Sequence, residues 1–165
     1  MRTFLLLSAI PGSGKSTWAK NYQREHPNTF IVSSDELRRE IGGDVQNFDH
    51  EAEVWAAFIR RINEYGAAHE DCQVIGDATN IKNDFRHYYG EQTKVFDKKI
   101  LVFFDIPFEI AEANNQRRDP AAVVPEEAMK RMEAEWEKPS PDLNDLYDEI
   151  WIIGIEETNA LFSKK

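Results

Sequence analysis

Ala9-Ile10-Pro11-Gly12-Ser13-Gly14-Lys15-Ser16-Thr17 is the stretch of sequence that decides the fold. It follows the apolar run Phe4-Leu5-Leu6-Leu7 and precedes a predicted helix that opens at Trp18. Glycines let the backbone turn so that successive N–H groups point inward at phosphate oxygens, in front of the positive end of a helix. We therefore interpret the stretch as a P-loop in which Ala9 replaces the usual first glycine. The alternative is a flexible Gly/Ser turn after a strand.

The polar residues of this loop have expected roles in phosphate binding. Lys15 is expected to reach the β and γ phosphates of a nucleotide, and the Ser16 hydroxyl to be a ligand of Mg²⁺. The full set of predicted nucleotide-binding residues in the loop is Gly12, Ser13, Gly14, Lys15, Ser16 and Thr17.

Composition limits the architecture. The chain has 165 residues, of which 41% are hydrophobic, and this is enough for one globular domain over residues 1–165. The single cysteine, Cys72, excludes an internal disulfide and suits a reducing cytoplasm as a small buried side chain. The N-terminal apolar run is too short for a membrane span, so we expect a cytoplasmic protein with no membrane segment.

Charge limits the partners. A formal net charge of −10 argues against non-specific adhesion to DNA or RNA, which depends on many Lys and Arg contacts to phosphates. A local basic groove is still compatible with this charge. The basic residues recur in small groups, most simply interpreted as solvated faces: Arg38-Arg39, Arg60-Arg61, Lys82 with Arg86, and Arg117-Arg118.

Apolar runs alternate with helical periodicities, which is typical of a parallel sheet with crossover helices. We expect an α/β fold of three layers, with a central parallel five-stranded sheet and helices on both faces. The strands are predicted at about 3–9, 29–33, 72–77, 99–105 and 149–153. Helices are predicted to begin near Gly14, Asp35, Asp49, Asn83, Pro107 and Pro125, with Pro at the first helical position of the last two.

Two helical stripes and one aromatic cluster are interpreted mainly as core. The stripes are Val54, Trp55, Phe58, Ile59 and Ile62, and then Met129, Met132 and Trp136. The cluster of Phe85, His87, Tyr88 and Tyr89 could stack on a nucleobase, although such residues more often face a helix core.

Ligands of an open parallel sheet lie at the carboxyl ends of its strands, and this rule selects Asp35 and Asp77. Asp35 is our candidate general base, since a kinase needs a carboxylate to orient the attacking hydroxyl; the alternative is a helix N-cap. Arg38 lies one turn further and is expected to bind an anionic part of the acceptor, with a surface ion pair as the alternative. Asp77 could hold a Mg²⁺-bound water or steady Arg38, or it could simply form a turn.

The segment 114–120 is predicted to connect two helices and to carry Arg118 toward the phosphates. Such a connection can close over the nucleotide and exclude water, so we expect a small helical lid at about 115–125. The alternative is a polar turn between helices.

Several of these motifs, in their order and spacing, resemble the kinase domain of phage polynucleotide 5′-hydroxyl kinases. The resemblance covers nearly the whole chain and rests on the loop 11–19, the spacing of Asp35 and Arg38, Asp77-Ala78-Thr79-Asn80, Phe104-Asp105-Ile106-Pro107, the stretch from Asn115 to Arg118, and Val124-Pro125 before a Met-rich helix. It implies a P-loop kinase fold and ATP- and Mg²⁺-dependent phosphorylation of the 5′-hydroxyl end of single-stranded or nicked DNA or RNA.

The same resemblance implies roles for individual residues. Lys15 and Ser16 serve the phosphates and metal, Asp35 is the general base, and Arg38 grips the 3′-phosphate of the acceptor. Asp77 matches a further active-site aspartate, and Arg118 matches the lid arginine. No Asp-x-Asp-Gly-Thr phosphatase motif occurs in this sequence, so 3′-phosphatase activity is not expected.

Two other functions are also compatible with the sequence. A homo-oligomeric state is compatible with it as well. One is a small-molecule kinase on the same scaffold, acting on a nucleoside, nucleotide or sugar. The other is an NTP-binding module without kinase chemistry, although the absence of an Asn-Lys-x-Asp guanine signature counts against a GTPase switch.

Overall fold

The computed structural model describes residues 1–163, and the side chains of residues 1–159. A five-stranded sheet, parallel throughout, has the order β2-β3-β1-β4-β5. Its strands are β1 Arg2–Ser8, β2 Thr29–Ser33, β3 Cys72–Asp77, β4 Lys98–Phe104 and β5 Glu149–Ile153. All five predicted strands are confirmed, each to within one residue at either end.

Seven α-helices are found among the described residues: α1 Lys15–Glu25, α2 Ser34–Gly42, α3 Glu51–Ala68, α4 Asn83–Glu91, α5 Phe108–Gln116, α6 Glu126–Glu135 and α7 Ile155–Ser163. Short 3₁₀ helices span Pro120–Ala122 and Pro141–Asp145. The predicted helix starts are confirmed to within two residues, but Pro107 and Pro125 are the capping residues before α5 and α6 rather than their first residues, since both have an extended ψ. Helix α7 was not predicted. The end of the predicted domain, Lys165, lies outside the described residues.

The central strand β1 separates two hydrophobic cores. Phe4 and Leu6 pack with α3 and α4 on one face, whereas Leu5 and Leu7 pack with α1 and α5 on the other. Because side chains alternate along a strand and both faces are covered, the whole run is apolar. The expected three layers are therefore confirmed.

The parallel topology places the carboxyl ends of the strands at one edge of the sheet. Ser33 at the end of β2 is paired in register with Asp77 at the end of β3, and the P-loop leaves β1 between β3 and β4. The polar residues selected from the sequence therefore lie at one edge. Among the described residues, no helix has both the length and the apolar character needed to cross a bilayer.

Arg86 contradicts the expectation of a solvated basic face, because its side chain is completely buried. It donates hydrogen bonds to Ser8 Oγ, Asn83 Oδ1 and the carbonyl oxygens of Asn80, Ile81 and Glu137, at 2.7 to 3.2 Å. Burial lowers the pKa of Arg86 to about 10, so the guanidinium stays charged at neutral pH. This side chain ties the end of β1 to the loop after β3, directly behind the P-loop.

Candidate active site

The P-loop depends on two glycines with positive φ, Gly12 at +86° and Gly14 at +88°. A Cβ on Gly12 would lie 2.0 Å from the carbonyl oxygen of Ala111 in α5, so that no other residue fits. Asn114 Nδ2 donates to Gly12 O at 3.0 Å and fastens the loop to the same helix. The loop is thus packed into the fold, in contrast to a flexible Gly/Ser turn.

Ser16 lies in the first turn of α1, and its hydroxyl donates to Asp77 Oδ2 at 3.0 Å. The other carboxylate oxygen, Asp77 Oδ1, is buried without a hydrogen-bond partner among the described residues, as is Ser13 Oγ. Burial raises the pKa of Asp77, and the charge of Lys15 and the bond from Ser16 oppose that rise. Buried polar atoms without partners are uncommon, and these two belong to the P-loop and to the end of the neighbouring strand β3.

The donor set fits Mg²⁺. This cation prefers oxygen ligands and usually takes only one or two from the protein, with water and phosphate completing the shell. Ser16 and Asp77 supply two such oxygens, one of them without a partner. Within residues 1–163, no group of three or more acidic, His or Cys side chains could hold a metal by itself. A site of this kind therefore depends on phosphate for its remaining ligands.

Asp35 occupies the first turn of α2, and its side chain is about half exposed. Its Oδ1 accepts from Arg38 Nη1 at 2.7 Å, and its Oδ2 lies 4.0 Å from Arg118 Nη2. The N-cap of α2 is Ser33, whose Oγ accepts from the backbone N–H of Glu36. The helix-cap alternative for Asp35 is therefore wrong, and its carboxylate is left beside two arginines.

Arg38 is nearly buried, with 8% of its side chain exposed. Glu51 accepts from its Nε and Nη2, both at 2.9 Å, while the ring of Phe48 lies 4.8 Å from the guanidinium carbon and that of Trp55 5.8 Å away. The ion pair considered for Arg38 thus joins a nearly buried guanidinium to two partly exposed carboxylates. Its role toward an acceptor stays a prediction.

Arg118 follows α5 in the connection to α6. Asn115 is buried and holds this connection through both amide atoms, donating to Val124 O at 2.8 Å and accepting from Val124 N at 3.0 Å. A short 3₁₀ helix within it is capped by Asp119. The predicted interhelical segment 114–120 begins too early, because residues 114–116 belong to α5.

Two of the cavities that border the P-loop share residues with each other. The first, of about 910 Å³, is lined by the loop together with α5 and α7, and we name it the P-loop cavity. The second, of about 460 Å³, is lined by residues from the loop before α3, from α3, α4 and α6, and we name it the aromatic cavity. Lys15 and Arg118 line both cavities and so lie between them.

The aromatic cavity gathers all of the residues predicted to be catalytic: Lys15, Asp35, Arg38, Asp77 and Arg118. It also contains residues that sequence reasoning assigned only to the core, Trp55 and Met132, which are partly buried and line its wall. Phe85 lines it too, whereas Tyr89 is a core residue as expected. Phe48 and Glu51 were missed, since neither lies in a recognisable motif.

Comparisons with known proteins agree with this fold. A solved structure of Kti12 from Chaetomium thermophilum, in complex with ADP-AlF3, has a TM-score of 0.69 at 16% identity, over 98% of this chain and 96% of that one. A gluconokinase from Sinorhizobium meliloti 1021 gives 0.61 at 15%, over 98% and 92%. A fungal RNA kinase gives 0.63 at 18%, over 92% and 73%. Such identities show the fold alone.

No curated protein matches the sequence. The neighbours confirm the predicted P-loop kinase fold, while the resemblance to phage polynucleotide kinases is supported only at that level. A sequence family described as an AAA domain, AAA_33, matches residues 6–139, which is most of the chain. The protein therefore belongs to the AAA_33 family and carries a kinase-like P-loop domain.

Proposed function

We propose that this protein is an ATP- and Mg²⁺-dependent kinase that phosphorylates the 5′-hydroxyl end of DNA or RNA. One observation carries the proposal: Lys15 and Arg118 line both cavities, and the Asp35 carboxylate lines the aromatic cavity with one oxygen 4.0 Å from Arg118 Nη2. A kinase needs its phosphate cradle, base and charge-spreading cations at such a junction, because donor and acceptor must react in line.

In this proposal the P-loop cavity holds ATP. The backbone N–H groups of residues 12–17 bind the phosphates, and Lys15 and Arg118 contact the terminal one. Ser16 and Asp77 would hold Mg²⁺, which supplies neutralisation of the charge that develops on the phosphates. The partnerless oxygen of Asp77 would become a ligand of this cation.

The acceptor hydroxyl enters from the aromatic cavity. Asp35 orients this hydroxyl and takes its proton on a carboxylate oxygen, while Arg38 donates a hydrogen bond to the carboxylate and Arg118 lies 4.0 Å from it. Lys15 and Arg118 offset the negative charge of the transferred group. Residues 115–125 act as the lid that keeps water from competing with the acceptor.

The choice of a nucleic-acid acceptor rests on the lining of the aromatic cavity. Three aromatic side chains, Phe48, Trp55 and Phe85, line it beside the proposed base. Such side chains offer flat apolar surfaces on which a nucleobase can stack. The likeness to a fungal RNA kinase agrees with this choice.

A second candidate is a small-molecule kinase, and one observation favours it. Arg38 faces two carboxylates, Asp35 and Glu51, so that little positive charge remains for the phosphates of a polymer. The likeness to a gluconokinase belongs to the same alternative.

Radiolabel transfer from ATP separates the two candidates. The acceptors are 5′-hydroxyl DNA and RNA oligonucleotides, nucleosides, 3′-nucleotides and gluconate. We expect transfer to oligonucleotides, and efficient transfer to a metabolite without oligonucleotide activity would overturn the proposal. Lys15→Ala should abolish transfer, and Asp35→Asn should lower kcat by roughly 10² to 10⁴ with ATP affinity nearly unchanged. Lys94→Ala and Asp71→Asn, both at exposed positions, are the matched controls.

A further inference from the structure

Two exposed aromatic side chains line one cavity of this protein. Among the described residues, five large apolar side chains are exposed, and two of them, Phe48 at 56% and Phe85 at 49%, line the aromatic cavity. Exposed aromatic side chains that line a cavity commonly mark a binding site. The Asp35 carboxylate lines the same cavity.

The aromatic side chains come from separate elements that are each fixed by the fold. Phe48 precedes α3 and packs over the Arg38 guanidinium, which Glu51 holds in turn. Trp55 packs edge-on against the buried Phe58, with ring centroids 5.6 Å apart. Phe85 lies on α4, which Arg86 anchors behind the P-loop. The aromatic surfaces are therefore present before any ligand binds.

The charges next to Phe48 favour an uncharged ligand at this ring. Arg38 is matched by Asp35 and Glu51, so this corner carries no excess positive charge. A carboxylate or phosphate placed there would meet two like charges, whereas a nucleobase is uncharged and has two flat faces for stacking. The cavity volume of about 460 Å³ lies within the range of small-molecule sites.

We propose that the aromatic cavity is a subsite for the nucleobase of the acceptor's first nucleotide, which stacks on Phe85 and Phe48 while its 5′-hydroxyl reaches Asp35. This inference rests on the proposed function and adds the part of the substrate that is recognised. Stacking is tolerant of sequence, because every base has a π face, so the subsite discriminates between a base and no base rather than among the four bases.

The test compares two oligonucleotide acceptors that differ only at the 5′ end, one with a normal first nucleotide and one with an abasic first residue. Wild-type enzyme should prefer the normal acceptor by roughly tenfold or more in kcat/KM, the range expected for one stacked base. Phe85→Ala should remove most of this preference, and Phe48→Ala should reduce it. Tyr88→Ala is the matched control, since Tyr88 is 50% exposed on the same helix but does not line the cavity.

A binding measurement separates failure of this inference from failure of the proposed function. Unreactive dinucleotides without a 5′-hydroxyl, with and without the first base, are titrated against wild type and Phe85→Ala, followed by tryptophan fluorescence. Preferential binding of the base-bearing dinucleotide, lost in Phe85→Ala, supports the subsite even if no oligonucleotide is phosphorylated. If wild type and Phe85→Ala each bind the two dinucleotides with equal affinity, the subsite is overturned, even if 5′-kinase activity is found.

Discussion

Replacing Asp77 by Asn should stabilise the unliganded protein while it weakens magnesium-dependent nucleotide binding. Asp77 is buried at the end of β3, with one oxygen bonded to Ser16 and the other without a partner among the described residues. Burial raises the pKa of Asp77, which means that the folded protein disfavours the charged form. Asn has nearly the same shape and carries no charge.

The size of the effect follows from the partners of the carboxylate. A buried charge without compensation costs several kcal/mol, but Ser16 and the charge of Lys15 offset part of that cost, so we expect Asp77→Asn to gain about 1 to 2 kcal/mol. For a chain of this length that is a rise in Tm of roughly 2 to 8 °C. The gain should fade as pH falls from above the raised pKa of folded Asp77 toward the unfolded pKa of Asp, about 4, below which the wild type is neutral in both states.

Bound Mg²⁺ and nucleotide should reverse the order of stability of the wild type and Asp77→Asn. Mg²⁺ with a non-hydrolysable ATP analogue at about 100 times Kd adds about 3 kcal/mol to the wild type, and much less to the variant, whose amide is a poor magnesium ligand. Thermal unfolding is followed by circular dichroism in EDTA and with the magnesium complex, and Asp71→Asn, at a highly exposed position, is the control. A lower Tm for unliganded Asp77→Asn, or equal stabilisation of both proteins by ligand, would refute the reasoning.

Three further predictions concern other parts of the structure. Gly12→Ala should abolish ATP binding and lower Tm, because its Cβ would lie 2.0 Å from the carbonyl oxygen of Ala111; calorimetric titration measures the binding. Tyr147→Phe should reduce the loss of stability at alkaline pH, measured by urea unfolding. Burial raises the pKa of Tyr147, so above about pH 10 the phenol ionises only in the unfolded chain. The stability of the wild type therefore falls as pH rises, and Phe removes this contribution. Glu51→Gln should raise the acceptor KM about threefold or more with kcat less affected, because Arg38, which packs over Phe48 in the aromatic cavity, loses one of its two charged partners.

Each of these three predictions has a control or an opposing outcome. Gly43→Ala has an equally positive φ but open space around it, so ATP binding should survive. An unchanged pH slope in Tyr147→Phe would mean that other groups cause the alkaline loss. A fall in kcat with unchanged KM in Glu51→Gln would assign the Arg38 network to chemistry rather than to acceptor binding.

The fold and the convergence of the site were predictable because their signals are local. The apolar run of β1 and the Gly-Ser-Gly-Lys-Ser-Thr sequence each act within a few residues of themselves. The rule for carboxyl ends of parallel strands then brings Asp35 and Asp77 together without knowledge of any side-chain contact. The structure places both of them, with Lys15, on the wall of one cavity.

What was missed depends on contacts between distant segments. Glu51 reads locally as an acidic residue in a helix's first turn, and only the turn between α2 and α3 brings it to Arg38. Arg86 reads as surface, because nothing in its neighbourhood shows that five neutral oxygen atoms from three segments will surround it. The partners of a charged side chain are set by tertiary structure, and its sequence context does not contain them.

The close approach of Gly12 to α5 has a consequence for how the protein meets its nucleotide. The loop packs against Ala111 and accepts a hydrogen bond from Asn114, and the same helix ends at Gln116, two residues before Arg118. The main-chain amides of the loop and Arg118 are thus both positioned by α5, and this arrangement forms when the chain folds. The loop therefore has its phosphate-binding conformation before a nucleotide arrives. Little backbone conformational entropy is then lost when the triphosphate binds.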